Sequence, residues 1–600
     1  MDFLVAAGAH LDRLAAELPT APLRPHSSGE RTVKRGPGRL VVTIGDGQLD
    51  GMAITKGKLV GESELKFDGL DSFVRFSRRT RGNFMVVGEH GDELLVGADP
   101  LGTYPLFFYD RAPFLLSNNI FLMQDALSLL DVELAPNNEL FAWEATLKNG
   151  WFDQSGFEEV RLLPIGAVAV IAPSGARVVE RPLTDLLYSD GSFEELIEAA
   201  AEEILENIRA LGAGAYSHRI CDLTGGLDSR LVLAALLHEG MADRFLFVTS
   251  GKYPHPDDNV ASMLRQRFGL TRAVGAHPPG TGETSMLDRM RTFLTRTFGS
   301  YTMLMNIGAE APPTKEILRL HGGLGETFRG FYTSNLGNPG HQRMKPFYRE
   351  IDQRGFLLAP STRKAQKAAV GEWSKTLERQ GVQSEDLLDS AYIAQRNRYH
   401  FGLSWRAGNI ARSSFHPLYS PAAIQAAYAL PAEQRVANRV GYELMRRFHA
   451  ELAELPFANE GWDPSLHESA PPITRESGKL FEPGVDRTVR VFPQERRGSP
   501  SQWQREVRQS GLHPKLGLIE RMLTEMQSLK GGATALAPVF VPEKVRDFLD
   551  RQPGDFIRRG QRSRNAYAVN RLLGALVWTN GLCTGPPPST AGPGSGGDET

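Results

Sequence analysis

Residues 219–240 read RICDLTGGLDSRLVLAALLHEG. A short strand that reads as buried, residues 218–223, runs into Thr224, Gly225, Gly226, Leu227, Asp228 and Ser229, and a helix begins at once. Paired glycines let a backbone approach an anion closely, while the N–H groups and positive dipole end of a following helix point into the same space. Thr224 and Ser229 add hydroxyl donors, so a phosphate or pyrophosphate is the natural occupant. Asp228 would repel phosphate directly, and it makes chemical sense as a ligand to a bridging Mg2+. The plain alternative is an ordinary strand–turn–helix corner in which Asp228 is a favourable charge on the first helical turn.

Working outward, SFEELIEAAAEEILENIRAL (192–211) carries apolar residues at helical spacing ahead of that strand. FLFVTSG (245–251) and then NVASMLRQRFG (259–269) follow it, and strands alternating with helices predict a parallel α/β sheet. Beyond about residue 368 the pattern is mostly helical, as in 422–430 and 442–452. Residues 39–179 differ: short β-type runs such as RLVVTIGDG, YPLFFYD and GAVAVIAPSGARVV, punctuated by HGD and PSG, predict hairpins and an antiparallel sheet with a few helices, one at 140–147. The opening MDFLVAAGAHLDRLAAEL reads as a short amphipathic helix, and GPPPSTAGPGSGGDET from 585 as a disordered tail. The expected division is therefore 1–185, 190–584 and 585–600.

Six hundred residues with 41% hydrophobic and 23% charged side chains describe an ordinary globular protein of several domains. Lys plus Arg (68) nearly balances Asp plus Glu (70), leaving −2 and no overall attraction to nucleic acid or anionic membrane. The cluster Arg487, Arg490, Arg496, Arg497, Arg505 and Arg508 reads as a solvated face. Cys221 and Cys583 are the only cysteines, which excludes a disulfide framework or a cysteine zinc site. The N-terminus has no basic start or cleavage pattern, and no apolar run reaches the roughly 18–20 residues that span a bilayer. A cytoplasmic protein without nucleic-acid or membrane partners is expected.

TGGLDS resembles the SGGxDS loop of the N-type ATP pyrophosphatases, and DLTGGLDSRLVLAAL resembles their asparagine synthetase-like branch, with a hydroxyl kept at Thr224. Three further segments follow in the family's order. SGKYPHPDDNVASMLRQRFG (250–269) resembles the stretch in which an acid precedes a helix; Asp257 matches, with Asp258 adjacent, and a helix N-cap is the alternative reading. HGGLGETFRGFY (321–332) resembles GxGxDExFGGY: Glu326, Phe328 and Gly330 align, Gly325 replaces an aspartate, and Arg329 is an addition suited to phosphate. ARSSFHPLYSPAAIQAAYALPAE resembles RxPFLDxxxxxxAxxLPxx through Arg412, Pro417, Leu418, Leu430 and Pro431, with Ile410 where an acid usually stands. VGYELMRRF is similar to GxKyLLR but lacks the lysine; Arg439, Arg446 and Arg447 are basic neighbours.

The first part has its own counterpart. GNFMVVGEHGDELLVGADPLGTYPLFFYD resembles GxFAFxxxDxxxxxLxxaRDxxGxxPLyy of the glutamine amidotransferase domain, matching at Asp99, Gly102, Pro105 and Leu106, with Ala98 in place of the arginine; LLPIGAVAVI resembles the later LPPGH segment. Glutamine-using members carry a nucleophilic cysteine at position 2, whereas this chain has Asp2. Without a thiol no thioester forms, so glutamine is not the expected ammonia source. The resemblance covers roughly residues 39–455.

It implies α/β plus α+β architecture: a degenerate Ntn-type amidotransferase β-sandwich with helices, then a parallel adenine nucleotide α-hydrolase-like (PP-loop) domain with a helical C-terminal part. It implies an ATP- and Mg2+-dependent ligase that adenylates a carboxylate and joins it to an amine from a source other than glutamine, most like β-lactam synthetases and lasso-peptide cyclases. Leu223, Thr224, Gly225, Gly226, Leu227, Asp228, Ser229, Thr249, Ser250, Asp257, Gly322 and Gly323 would bind nucleotide. Asp228 and Glu326 would hold Mg2+, and Asp228, Glu326 and Arg329, with Arg230 as a further cation, would serve catalysis. The partner is a small-molecule or peptide substrate bearing carboxylate and amine, together with biosynthetic partner proteins. An ammonia-dependent asparagine synthetase, a non-catalytic nucleotide-binding homologue and a tRNA-modifying enzyme are the alternatives.

Overall fold

The strand Asp2–Ala7 lies where the sequence predicts a helix. It pairs antiparallel with Arg39–Ile44 on one side and Phe114–Ser117 on the other, and both of its faces are covered. A strand buried on both faces is a continuous apolar run, which periodicity cannot separate from a short helix. Gly8 (φ 95°) and His10 (φ 64°) turn the chain before the predicted helix begins at Leu11, well inside the expected segment. The computed structural model describes residues 2–19, 31–44, 49–60, 65–249, 256–274, 285–302, 316–336, 344–409, 413–458, 461–467, 487–491, 522–550 and 562–581.

Two six-stranded antiparallel sheets form the first half. One runs in the order Val160–Leu162, Phe107–Tyr109, Phe114–Ser117, Asp2–Ala7, Arg39–Ile44, Arg31–Gly36. The other runs Gly175–Val179, Val168–Ala172, Glu93–Ala98, Arg81–His90, Leu49–Thr55, Lys58–Leu59. Phe3, Val5 and Leu116 of the first pack on Met85, Val96 and Ile171 of the second, so the sheets form a sandwich. Leu4, Ala6 and Leu115 face the opposite way, against helices Ile120–Ser128 and Asn138–Leu147 and against Leu573 and Trp578 of the late helix Arg562–Thr579.

The third sheet has six parallel strands in the order Ser413–Phe415, Ile317–Leu320, His218–Asp222, Leu246–Val248, Thr271–Val274, Thr488–Arg490. The chain moves outward from the central strand through the next two, then crosses back to lay Ile317–Leu320 on its other side. Parallel pairing requires such crossovers, and helices Phe193–Ala213, Leu227–His238 and Arg439–Glu454 bury Ile204, Leu233 and Met445 in one core with this sheet. The order reverses between Asp222 and Leu320, and the crevice beyond the carboxyl ends of strands at such a reversal is where α/β sheets bind ligands. The chain is thus a mixed α/β protein with antiparallel sheets, a parallel sheet and many helices. No helix among the described residues is long and apolar enough to cross a membrane. Ser250, Ile410, Arg412, Cys583, the four later arginines of the basic cluster and the tail 585–600 lie outside the described residues.

Candidate functional site

The glycine loop sits at that reversal. Leu223 continues the ladder, its N–H donating to the Val248 carbonyl (2.8 Å), and Thr249 Oγ1 donates to the Leu223 carbonyl (2.8 Å). Thr249 also accepts from Arg265 (3.1 Å), so it braces the loop from below. Ser229 Oγ lies 2.9 Å from Thr224 Oγ1 and accepts from the Thr224 N–H (3.0 Å); Thr224 Oγ1 in turn accepts from the Gly226 N–H (3.2 Å). Asp257, at the start of helix Pro256–Arg267, accepts from the Gly225 N–H (2.9 Å). An anionic oxygen is thus already seated on the loop by its own chain. Gly226 is the N-cap of helix Leu227–His238, no side chain caps it, and a methyl group added there would touch only Thr224 Oγ1 (3.5 Å). At Gly225 the same methyl would meet Ala458 Cβ at 2.2 Å, so the loop is open at its second glycine and covered at its first.

Asp228 is brought to the segment that follows the neighbouring strand. Arg329 donates to Asp228 Oδ2 (2.9 Å) and lies 3.7 Å from Glu326. All three side chains are partly buried. Burial pushes the Asp228 carboxyl up against the pull of Arg329. Glu326 is pushed up to about 7, first by burial and then by the Asp228 charge, and its Oε2 is buried without a hydrogen-bond partner. Two carboxylates crowded beside one guanidinium, with one oxygen orphaned, form a hard-oxygen donor set that a divalent cation would satisfy. Among the described residues no cluster of three or more His, Cys, Asp or Glu could hold a metal.

The glycines of 322–325 permit this approach. A Cβ on Gly322 would lie 2.7 Å from the Ser229 backbone nitrogen, one on Gly325 2.4 Å from Asp228 Oδ1, and one on Gly323 2.6 Å from His416 Nδ1. Gly325, where the sequence resemblance expects an aspartate, is the space that the Asp228 carboxylate fills.

Arg230 is turned elsewhere. Its guanidinium is fully buried and donates to the carbonyls of Leu452, Leu455 and Pro456 while stacking on Phe457 at 3.7 Å. It therefore ties the loop's helix to residues 452–457 and does not face the Asp228 carboxylate. Arg447 bonds Glu194 and Glu198, and Tyr442, beside the place of the missing lysine, packs on Trp462. Sequence reasoning missed Asp222, Arg319, His321 and His416. Asp222 is held far below the usual carboxylate range: burial raises it, but His321 (2.6 Å) and Arg319 (2.7 Å) overcome that. His416, 5.3 Å from His321 between ring centroids, is kept neutral by burial. Asp222 and Arg319 lie on adjacent strands, and His321 and His416 each stand one residue past a strand, so only sheet order brings the four together.

In the first half, Asp99 accepts from the N–H groups of Leu101, Thr103 and Tyr104 and from the Tyr419 hydroxyl (2.7 Å), which ties the ADPLGTYPL turn to the parallel-sheet half. Asp2 occupies the head of its strand near Arg406. Arg406 donates to Tyr104 (3.1 Å), whose hydroxyl also bonds Asp50 and Asn118.

No family model matches the chain, and no curated protein matches it. One solved structure found similar is glutamine phosphoribosylpyrophosphate amidotransferase from B. subtilis complexed with ADP and GMP, at 8% identity over 56% of this chain and 77% of that one, with a TM-score of 0.19. A likeness of that size carries no argument about fold family or function.

Proposed function

We propose that the chain is an ATP-dependent ligase that releases AMP and pyrophosphate, adenylating a carboxylate and joining it to an amine not taken from glutamine. One observation carries the reading: the Thr224–Ser229 loop lies at the reversal point of a parallel sheet, with Asp228 drawn against Glu326 and Arg329 of the adjoining strand's loop. In this reading the N–H groups of Leu227 and Asp228 and the hydroxyls of Thr224 and Ser229 receive the β,γ-pyrophosphate, with Leu223, Gly225, Gly226, Thr249, Ser250, Asp257, Gly322 and Gly323 shaping the nucleotide site. Asp228 and Glu326 would hold Mg2+, which when bound neutralises charge on the leaving pyrophosphate. Arg329 balances the same charge and keeps Asp228 aimed across the crevice. The division 1–185, 190–584 and 585–600 belongs to the proposal, with the first unit a thiol-less glutaminase-like scaffold. A cytoplasmic setting, a carboxylate- and amine-bearing substrate, biosynthetic partner proteins, and no nucleic-acid or membrane partner belong to it as well.

The test is the product formed from α-labelled ATP with Mg2+ and a panel of amino acids and peptides. AMP with matching pyrophosphate, unaffected by glutamine, supports the ligase; ADP, or no turnover with any member, contradicts it. A second reading, a nucleotide-binding homologue without catalysis, is favoured by Ala458 lying against Gly225 and by the lack of the expected lysine near residue 442. It predicts ATP binding with no pyrophosphate release.

A further inference from the structure

Asp222, Arg319, His321 and His416 form a second polar group at the carboxyl end of the parallel sheet, beside the glycine loop. Along strand His218–Asp222, Cys221 packs into the core shared with helices Phe193–Ala213 and Leu227–His238, whereas Ile220 packs on the opposite face with Val248, Ala273 and Ile317. Side chains alternate along a strand, so Asp222 follows Ile220, and Arg319 follows Ile317, onto that opposite face. There one oxygen of Asp222 accepts from Arg319 Nε (2.8 Å) and Nη2 (2.7 Å), and the other lies 2.6 Å from His321 Nδ1. His321 is joined directly to Gly322, the glycine that packs on the Ser229 nitrogen, so the pair borders the first turn of the loop's helix.

This arrangement fixes a tautomer. Burial works against the charge of Asp222, but His321 and Arg319 outweigh it, and an ionised carboxylate only accepts hydrogen bonds. Nδ1 of His321 therefore carries the proton, which leaves Nε2 of the neutral ring as a bare acceptor. No described residue bonds Nε2, and the side chain is about one-quarter exposed. His416, the neighbouring imidazole, is buried against Phe401 and Trp405 and stays neutral, so it does not compete for a proton. Asp222, Arg319 and His416 are the charged and titratable groups that face His321 among the described residues.

We infer that His321 Nε2 is the proton acceptor for the amine in the second half of the ligase reaction. The inference rests on the proposed function, in which Glu326 is committed to Mg2+ and no other residue receives this proton. The amine nitrogen attacks the carbonyl carbon of the acyl-adenylate; the C–N bond forms, the C–O bond to the AMP phosphate breaks, and AMP departs with that electron pair. One proton of the attacking nitrogen passes to Nε2, and Asp222 holds the imidazolium so formed. Arg319 is a positioning residue that keeps Asp222 ionised and aimed at the ring.

Two measurements on the full chain test this. Carbethoxylation by diethyl pyrocarbonate at neutral pH, mapped by mass spectrometry, reads the bare Nε2 without any substrate. His321 is expected to react at least about tenfold faster than buried His416. It uses the native chain, so a folding defect in a variant does not decide the matter. The panel member that gives AMP is then followed for amide, and for hydroxamate with hydroxylamine added, in the native chain and in His321→Gln. Hydroxylamine is largely unprotonated at neutral pH and strongly nucleophilic, so it traps the adenylate without help from a base. Amide formation is expected to fall about a hundredfold or more in the variant, with hydroxamate within about threefold of native. Equal effects on amide and hydroxamate, or a His321 that reacts no faster than His416, overturn the inference and leave the ligase reading standing. Failure of that reading registers differently, as no AMP from the native chain with any panel member, and takes this inference with it.

Discussion

Asp228, Glu326 and Arg329 illustrate how much the chemistry depends on a few ångströms. Glu326 titrates near 4.3 in an unfolded chain and near 7 in the fold. A carboxyl raised in this way favours the fold below the unfolded value, and that contribution is lost as pH climbs through the folded value. Without metal, stability should therefore fall between about pH 4 and pH 7 at this site. Mg2+ with nucleotide should release a proton on binding at pH 6, and calorimetry in buffers of different ionisation enthalpy would register it; proton-neutral binding would remove Glu326 from the ligand set. Gly325→Ala tests the same contact sterically. Its Cβ would press on the carboxylate of Asp228, which can swing, so the melting temperature should hold while nucleotide affinity drops about tenfold or more. Retained affinity in that variant would mean that the Asp228 position does not matter. These residues were legible as types: an acid in a glycine loop is chemically pointed. Their pairing was not, because the loops lie about a hundred residues apart and only sheet order joins them.

At the scale of elements, the strand–loop–helix unit could be read almost whole from the sequence, because a short strand, two glycines and a largely apolar helix leave few other arrangements. The capping box of Ser192 and Glu195 likewise marks the start of helix Phe193–Ala213 where the sequence predicts it. The first strand reads as a helix because FLVAA is buried on both faces and carries no period. The sixth parallel strand, Thr488–Arg490, gives no signal, being three exposed residues paired at an edge. The segment His321–Leu324 packs so closely on the helix start that Gly322→Ala must push backbone, 2.7 Å from the Ser229 nitrogen. A cost of about 1–3 kcal/mol is expected in urea denaturation, alongside weakened nucleotide binding. A neutral outcome would show that the two loops are less tightly docked than described.

For the molecule as a whole, the halves distinguished by sequence pattern share their cores. Leu101 and Trp143 of the first half belong to the cluster built around the parallel sheet, and the late helix Arg562–Thr579 covers the first antiparallel sheet. Composition and periodicity could not show this, since contacts between positions hundreds of residues apart leave no local pattern. Trp578 is the clearest example: fully buried, it donates to the Gly156 carbonyl (2.7 Å) and packs on Phe121 and Phe157. Trp578→Ala should cost about 3–5 kcal/mol and lower the stability of the sandwich, read by urea denaturation; a loss under about 1 kcal/mol would mean that the late helix is not part of that core.

The central claim is that the Thr224–Ser229 loop and Asp228 receive the phosphates of ATP. Calorimetric titration of α,β-methylene-ATP with Mg2+ into the full chain and into Asp228→Asn tests it most directly. Saturable binding by the native chain, weakened about a hundredfold or more in a variant that unfolds at the same temperature, is predicted. A native chain that takes up no nucleotide, or a variant that binds as tightly as the native chain, would contradict the account.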